Sequence, residues 1–147
     1  MALTVGAPLP GRAVPLASVP DPVFAGAMVG PGLAVEPDDD ARVVVSPVDG
    51  VLFKVKPHAF VVTADGGRAV LVHLGIDTVK LAGDGFEILA AEGSAVRAGE
   101  QVIRWDPGAV RGAGLSACCP VIALETTAVA AAASGRVEAG APLFIWD

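Results

Sequence analysis

His58-Ala59-Phe60-Val61-Val62-Thr63-Ala64-Asp65-Gly66-Gly67-Arg68-Ala69-Val70-Leu71-Val72-His73 holds both histidines of the chain. Two apolar, β-branched runs flank Asp65-Gly66-Gly67, the strongest short-range signal for a β-hairpin. If Asp65-Gly66 is a two-residue loop, Ala64 faces Gly67 and His58 faces His73, with Cβ atoms about 4.5–5.5 Å apart. If Gly66-Gly67 is the loop, the pair is offset by two residues but keeps one face. Only a three-residue loop sends the imidazoles to opposite faces, because one residue of slip flips every side chain. Two imidazoles at facing positions, followed by Gly75, Asp77 and Thr78, read as a site. The competing reading is one half-buried sheet histidine and one at a strand end.

Outward from the hairpin, the chain repeats itself. Ala7-Pro8-Leu9-Pro10-Gly11-Arg12-Ala13-Val14 parallels Ser46-Pro47-Val48-Asp49-Gly50-Val51-Leu52-Phe53. Val96-Arg97-Ala98-Gly99, ending at Trp105-Asp106, parallels Val137-Glu138-Ala139-Gly140, ending at Trp146-Asp147. In each, Pro and Gly punctuate a turn before a strand. Two interleaved copies of one β-motif predict a pseudo-symmetric sandwich or closed barrel. Between the copies, Asp21-Pro22 is a good helix start over Val23-Phe24-Ala25, with Gly30-Pro31-Gly32 as its stop. Glu36-Pro37-Asp38-Asp39-Asp40 reads as a solvated turn. Pro107-Gly108 through Gly112-Ala113-Gly114 breaks up any long helix. The expectation is an all-β antiparallel β-sandwich, or barrel-sandwich hybrid, of about ten short strands, internal duplication and one or two helical turns.

The totals agree. The 147 residues suit one domain spanning 1–147, and 53% hydrophobic residues suffice for a sizeable core. No apolar run approaches the ~18 residues of a membrane helix, and the start is not a secretory signal, so a cytoplasmic protein is expected. A net charge of −6 without a basic patch argues against nucleic acid as a partner. The only cysteines, Cys118 and Cys119, are adjacent. A vicinal disulfide is strained, so two reduced thiols are expected, at least one of them buried.

Three chemistries use a histidine pair. In phosphoryl transfer, one neutral imidazole attacks phosphorus while the other hydrogen-bonds the phosphoryl oxygens. In a metal site, two histidines are only half of the usual zinc set, with Asp77 the nearest third candidate. General acid–base catalysis wants a carboxylate partner and a substrate pocket, and neither is visible.

Val19-Pro20-Asp21-Pro22-Val23-Phe24, Ser46-Pro47-Val48-Asp49-Gly50, His58-Ala59-Phe60, Val72-His73-Leu74-Gly75-Ile76-Asp77-Thr78-Val79 and Gly83-Asp84-Gly85-Phe86 supply a further signal. In this order and spacing they resemble the glucose-type enzyme IIA proteins of the bacterial phosphoenolpyruvate-dependent sugar phosphotransferase system. The resemblance runs from about Ala7 to Asp147. It implies a phosphocarrier whose His73 takes a phosphoryl group from phospho-HPr and passes it to a cysteine on the IIB domain of a glucose- or N-acetylglucosamine-type permease. It implies that His58 supports that group, and that Nδ1–H of His73 is held by a nearby carbonyl, that of Gly75. Asp77, Phe24, Val23, Val79 and Asp21 match the partner-docking rim. No cofactor is required. Some family members bind zinc between the two histidines and a partner's carboxylate, which here makes His58 and His73 the metal candidates. Others regulate transporters or metabolic enzymes. Contact with the membrane would come only through the permease.

Three features depart from the family pattern. Lys56 stands two residues before His58, where the family usually has Thr; of its two readings, a cation near the phosphoryl oxygens or a solvated surface charge, the second is preferred and no site role is assigned. The segment between Gly50 and His58 is about two residues short, and Leu71 replaces a usual aromatic. Among other classes, a biotinyl or lipoyl carrier needs a lysine at a hairpin tip, and Lys80 between Val79 and Leu81 is not one. A zinc peptidase needs more ligands than the pair and Asp77 supply.

Overall fold

A computed structural model describes residues 2–147. Among these residues the strands are β1 (Leu3–Gly6), β2 (Gly11–Pro15), β3 (Gly32–Pro37), β4 (Val43–Val45), β5 (Gly50–Lys56), β6 (Ala59–Thr63) and β7 (Ala69–His73). They continue with β8 (Glu87–Ile88), β9 (Ala95–Val96), β10 (Gln101–Arg104), β11 (Cys119–Ala123), β12 (Gly135–Val137) and β13 (Pro142–Trp146). All ladders are antiparallel. An eight-stranded sheet runs β12-β2-β3-β11-β7-β6-β5-β9, beside a β1-β13 pair and a β4-β10-β8 sheet. This is the expected β-sandwich, with thirteen strands rather than ten because several are only two or three residues long.

The duplication is visible in the ladder register. Gly11 pairs with Val137, and Gly50 pairs with Val96. These are the residues that the two sequence repeats align. Ser46 N donates to Glu100 O as Ala7 N donates to Ala141 O. The two copies also exchange bonds, Gly6 N to Pro47 O and Val45 N to Pro8 O. The repeated glycines have one cause. A Cβ on Gly11 would collide with the carbonyl of Glu36, and one on Gly50 with that of Thr63, at matching points of the partner strand. Extending the same match along the ladders aligns β3 with β6 and β11 with β7. The large sheet is therefore two four-stranded copies joined where Val121 pairs with Val72.

Alternation along β6 and β7 buries Phe60, Val62, Val70 and Val72 in the main core with Leu9, Val35, Leu52, Ile103, Leu143 and Phe144. A second, smaller cluster (Leu16, Val19, Ala34, Ile76, Cys118 and Ile122) lies on the other face of the large sheet. It is roofed by the β2–β3 connection, which contains a 3-10 turn at Leu16–Ser18 and α1 (Pro22–Ala25). Asp21 caps α1 as expected, its Oδ1 accepting from Val23 N at 2.9 Å and Phe24 N at 3.4 Å, with Pro22 in the first turn.

Three local expectations change. The hairpin loop has three residues: Ala64 N donates to Arg68 O, and Thr63 pairs with Ala69. Gly66 and Gly67 have φ of 78° and 76°, so both glycines are used in the turn. The segment after Asp106 is not merely broken. It forms α2 (Pro107–Gly112), capped by Asp106, whose Oδ1 accepts from Ala109 N. The acidic run after β3 is not simply solvated either. Arg111 binds Glu36 and Asp39, and Arg136 binds Asp38 and Glu138. Both cysteines are buried and free. Burial pushes the Cys118 thiol up to about 12 and raises Cys119 as well, so both stay protonated and unreactive.

Candidate functional site

The three-residue loop sets Ala59, not His58, opposite His73. The imidazoles meet all the same, by a route the alternation rule does not cover. His58 lies outside β6, in the two-residue Pro57-His58 turn that joins it to β5, where Lys56 pairs with Ala59. A turn residue is free of the strand's two-residue period. The carbonyl of His58 accepts from Leu74 N at 2.7 Å, which fastens this turn to the end of β7. The two rings sit edge to face, with centroids 5.2 Å apart and planes at 71°.

Beyond His73 the chain turns sharply. Gly75 has φ of 77°, and a Cβ there would fall 2.6 Å from Thr78 Cγ2 and 2.8 Å from Ser116 O. Only glycine fits. The loop is tied at three points. Thr78 Oγ1 donates to Leu74 O at 2.6 Å, Ile76 N donates to Ser116 O at 2.9 Å, and the Ile76 side chain is buried in the smaller cluster. The loop aims one group at the histidine: Gly75 O lies 2.6 Å from His73 Nδ1. A carbonyl can only accept, so Nδ1 carries the proton and Nε2 keeps the lone pair.

The electrostatics keep both rings neutral. His73 is held below the ordinary histidine value chiefly by burial, against the opposing pull of the Gly75 carbonyl, Asp21 and Asp77. His58 is lowered by burial, then by His73 and Lys56. A neutral, desolvated imidazole with a fixed tautomer is a nucleophile.

The expected rim residues surround this pair. The Phe24 ring lies 5.3 Å from the His73 ring, tilted at 57°, and also packs on the smaller cluster, so it anchors α1 and walls the site together. Val23 and Val79 are 44% and 62% exposed. Exposed Asp77, at φ of 61°, opens the 3-10 turn Thr78–Leu81. Met28, just beyond α1, is 76% exposed. Sequence reasoning placed Thr78 beside the site without its tethering role and missed Ser116, which is distant in sequence and left no local signal. Among the described residues no group of three His, Cys, Asp or Glu could hold a metal ion, and Asp77 does not complete one with the pair. The molecule's cleft of about 690 Å³, lined by Leu3, Asp49, Asp65 and Arg68, contains neither histidine. No described helix is long and apolar enough to cross a membrane.

Residues 3–129 match the family described as phosphoenolpyruvate-dependent sugar phosphotransferase system, EIIA 1. A glucose-specific EIIA component from Bacillus cereus is 41% identical over 146 residues, which covers 92% of this chain and 87% of that protein. An N-acetylglucosamine-specific EIICBA component from Klebsiella pneumoniae is 39% identical over 143 residues, 93% of this chain but 22% of that protein. The solved structure of glucose permease IIA from Mycoplasma capricolum superposes with a TM-score of 0.91 at 32% identity, covering 99% of this chain and 96% of that one.

Proposed function

The chain belongs to the EIIA 1 family of the phosphoenolpyruvate-dependent sugar phosphotransferase system, and we propose that His73 is the residue on which it carries the phosphoryl group. The observation that carries this reading is the short Gly75 O···His73 Nδ1 contact, which leaves Nε2 as the attacking atom. In the first step the Nε2 lone pair forms an N–P bond, and the donor's bond to phosphorus breaks with its electron pair leaving on the donor. The donor is phospho-HPr. In the second step a cysteine thiolate of a IIB domain forms an S–P bond, and the N–P electrons return to Nε2. No proton is gained or lost by the ring, so the Gly75 carbonyl holds one tautomer through both steps. Catalysis here is positioning and charge stabilisation.

His58, edge-on to His73, donates a hydrogen bond to the phosphoryl oxygens and eases the group's departure. The exposed Val23 and Val79, with Phe24, form the apolar floor on which each partner sits, and Asp21 and Asp77 are its charged border. A IIB partner is supported by relatives whose names join A to B and C in one chain. Glucose or N-acetylglucosamine permeases are the acceptors that the relatives' names favour. Two imidazoles supply half of a zinc site, so a metal bound here would take its remaining ligands from a partner. The same exposed face would serve regulatory targets.

The test is incubation with phosphoenolpyruvate, enzyme I and HPr, read by intact mass. One acid-labile phosphoryl group on the wild type, absent from His73→Gln, is the expected result. A variant that still gains the group would overturn the assignment.

A further inference from the structure

The ladders place three residues in one row. Lys56, at the end of β5, pairs with Ala59, and Ala59 pairs with His73. Directly paired residues in an antiparallel sheet point to the same face. That face is the outer one, because the intervening neighbours Phe60 and Val72 are buried. Two strand spacings, about 9.5 Å, separate the backbones of Lys56 and His73. In the row itself only Ala59 stands between them, with the His58 ring alongside. A phosphoryl group on Nε2 would sit on this outer face, and a lysine has a flexible four-carbon stem with which to reach it.

The charges around the row point the same way. Asp21 and Asp77 both act on His73, so an incoming phosphoryl group meets two carboxylates. Lys56 is exposed, and its side chain has no hydrogen bond or ion pair among the described residues. Its charge nevertheless reaches the His58 ring. Gly83 lies beside this turn, where a Cβ would meet the Pro57 ring in ordinary contact at 3.4 Å.

We propose that Lys56 is an anion-binding member of the site, its ammonium contacting the oxygens of the phosphoryl group on His73. The proposal rests on the reading of His73 as the carrier. Lys56 offsets the two carboxylates and shares the oxygens with His58.

The test compares wild type, Lys56→Met, Lys56→Arg and the control Lys80→Met. Each is phosphorylated once from phospho-HPr and once with phosphoramidate, which needs no protein partner. Readouts are the rate and equilibrium extent of labelling by intact mass, their dependence on salt, and the phosphorus NMR shift of the phosphohistidine. For Lys56→Met we expect about fivefold weaker labelling by both donors, a flatter salt dependence and a moved phosphorus signal. Lys56→Arg restores these, and Lys80→Met matches wild type. Because Lys56 is exposed, an unchanged melting temperature shows that the fold is intact. If wild type labels on His73 and Lys56→Met equals it in all three readouts, this inference fails and the carrier reading stands. If wild type gains nothing from either donor, or His73→Gln keeps the label, both fail.

Discussion

Where Ala59 pairs with His73 in one half of the large sheet, Gly32 pairs with Ile122 at the matching point of the other. Both pairs lie one step from the junction of the copies, where Val72 meets Val121. The backbone is the same, but the connections differ. In the first half, β5 returns to β6 through two residues, Pro57-His58, and the row stays open. In the second, residues 16–31 intervene between β2 and β3 and roof the row, so Ile122 is fully buried with Leu16 and Val19. The roof also leans across the junction and sets Phe24 against His73. On the proposed role of His73, one copy supplies the reactive group and the other supplies its wall. A duplicated sheet thus gains a single site by changing one connection length.

The sharpest way to break this comparison is to move the nucleophile. Ile122→His in a His73→Gln background should restore no phosphoryl gain by intact mass, because the roof excludes any donor. The variant should also lose about 3 kcal/mol of stability in urea, from lost burial and an unsatisfied ring. Restored labelling would show that the connection is not what distinguishes the halves. Next in size is Gly75→Ala, which forces a Cβ into Thr78 and Ser116. It should slow labelling from phospho-HPr by about a hundredfold, since a 1 Å misplacement costs that much. Stability should fall by about 1–3 kcal/mol.

His58→Gln should still accept a phosphoryl group at close to the wild-type rate but pass it to a IIB domain about tenfold more slowly. Equal transfer by both forms, measured by rapid quench, would remove His58 from the mechanism. The smallest effect is on pH. Both histidines sit below 6.5 when folded, so the unfolded chain binds the extra protons first. Stability from this source is constant above pH 6.5 and declines as pH falls below it. Labelling rate should hold below pH 6.5 and drop only as the folded His73 protonates. Proton NMR of the two rings, with a denaturation series across pH 5–8, reads both. A stability that rises on acidification would reverse the assigned cause.

What could be read from residues alone follows the range of the forces involved. The repeat was legible because Gly11 and Gly50 answer the same backbone collision, which leaves the same letters. α1 was legible because Asp21 and Pro22 act within one turn. The hairpin register was not, because Asp65-Gly66-Gly67 offers two glycines and either count is chemically sensible. The histidine pair therefore came out together for the wrong reason: the turn, not facing positions, joins them. The bonds of Arg111 and Arg136 to the acidic run span 72 to 98 residues, and no local pattern announces them. Lys56 could be read either as a surface charge or as a cation at the phosphoryl oxygens, and the ladders, which put it in a row with His73, favour the second.

The pairing of β1 with β13 joins Leu3 to Trp146, nearly the whole length of the chain. During synthesis β1 must wait for β13 before it can pair. β2 likewise waits for β12 on its outer edge. Until then, two strand edges are open and the apolar Val5, which pairs with Phe144, has no final partner. Closing so long a loop comes before any reward from the contacts it allows. The architecture therefore commits these residues to slow, late folding, and the nascent chain is exposed to aggregation until β13 has been made.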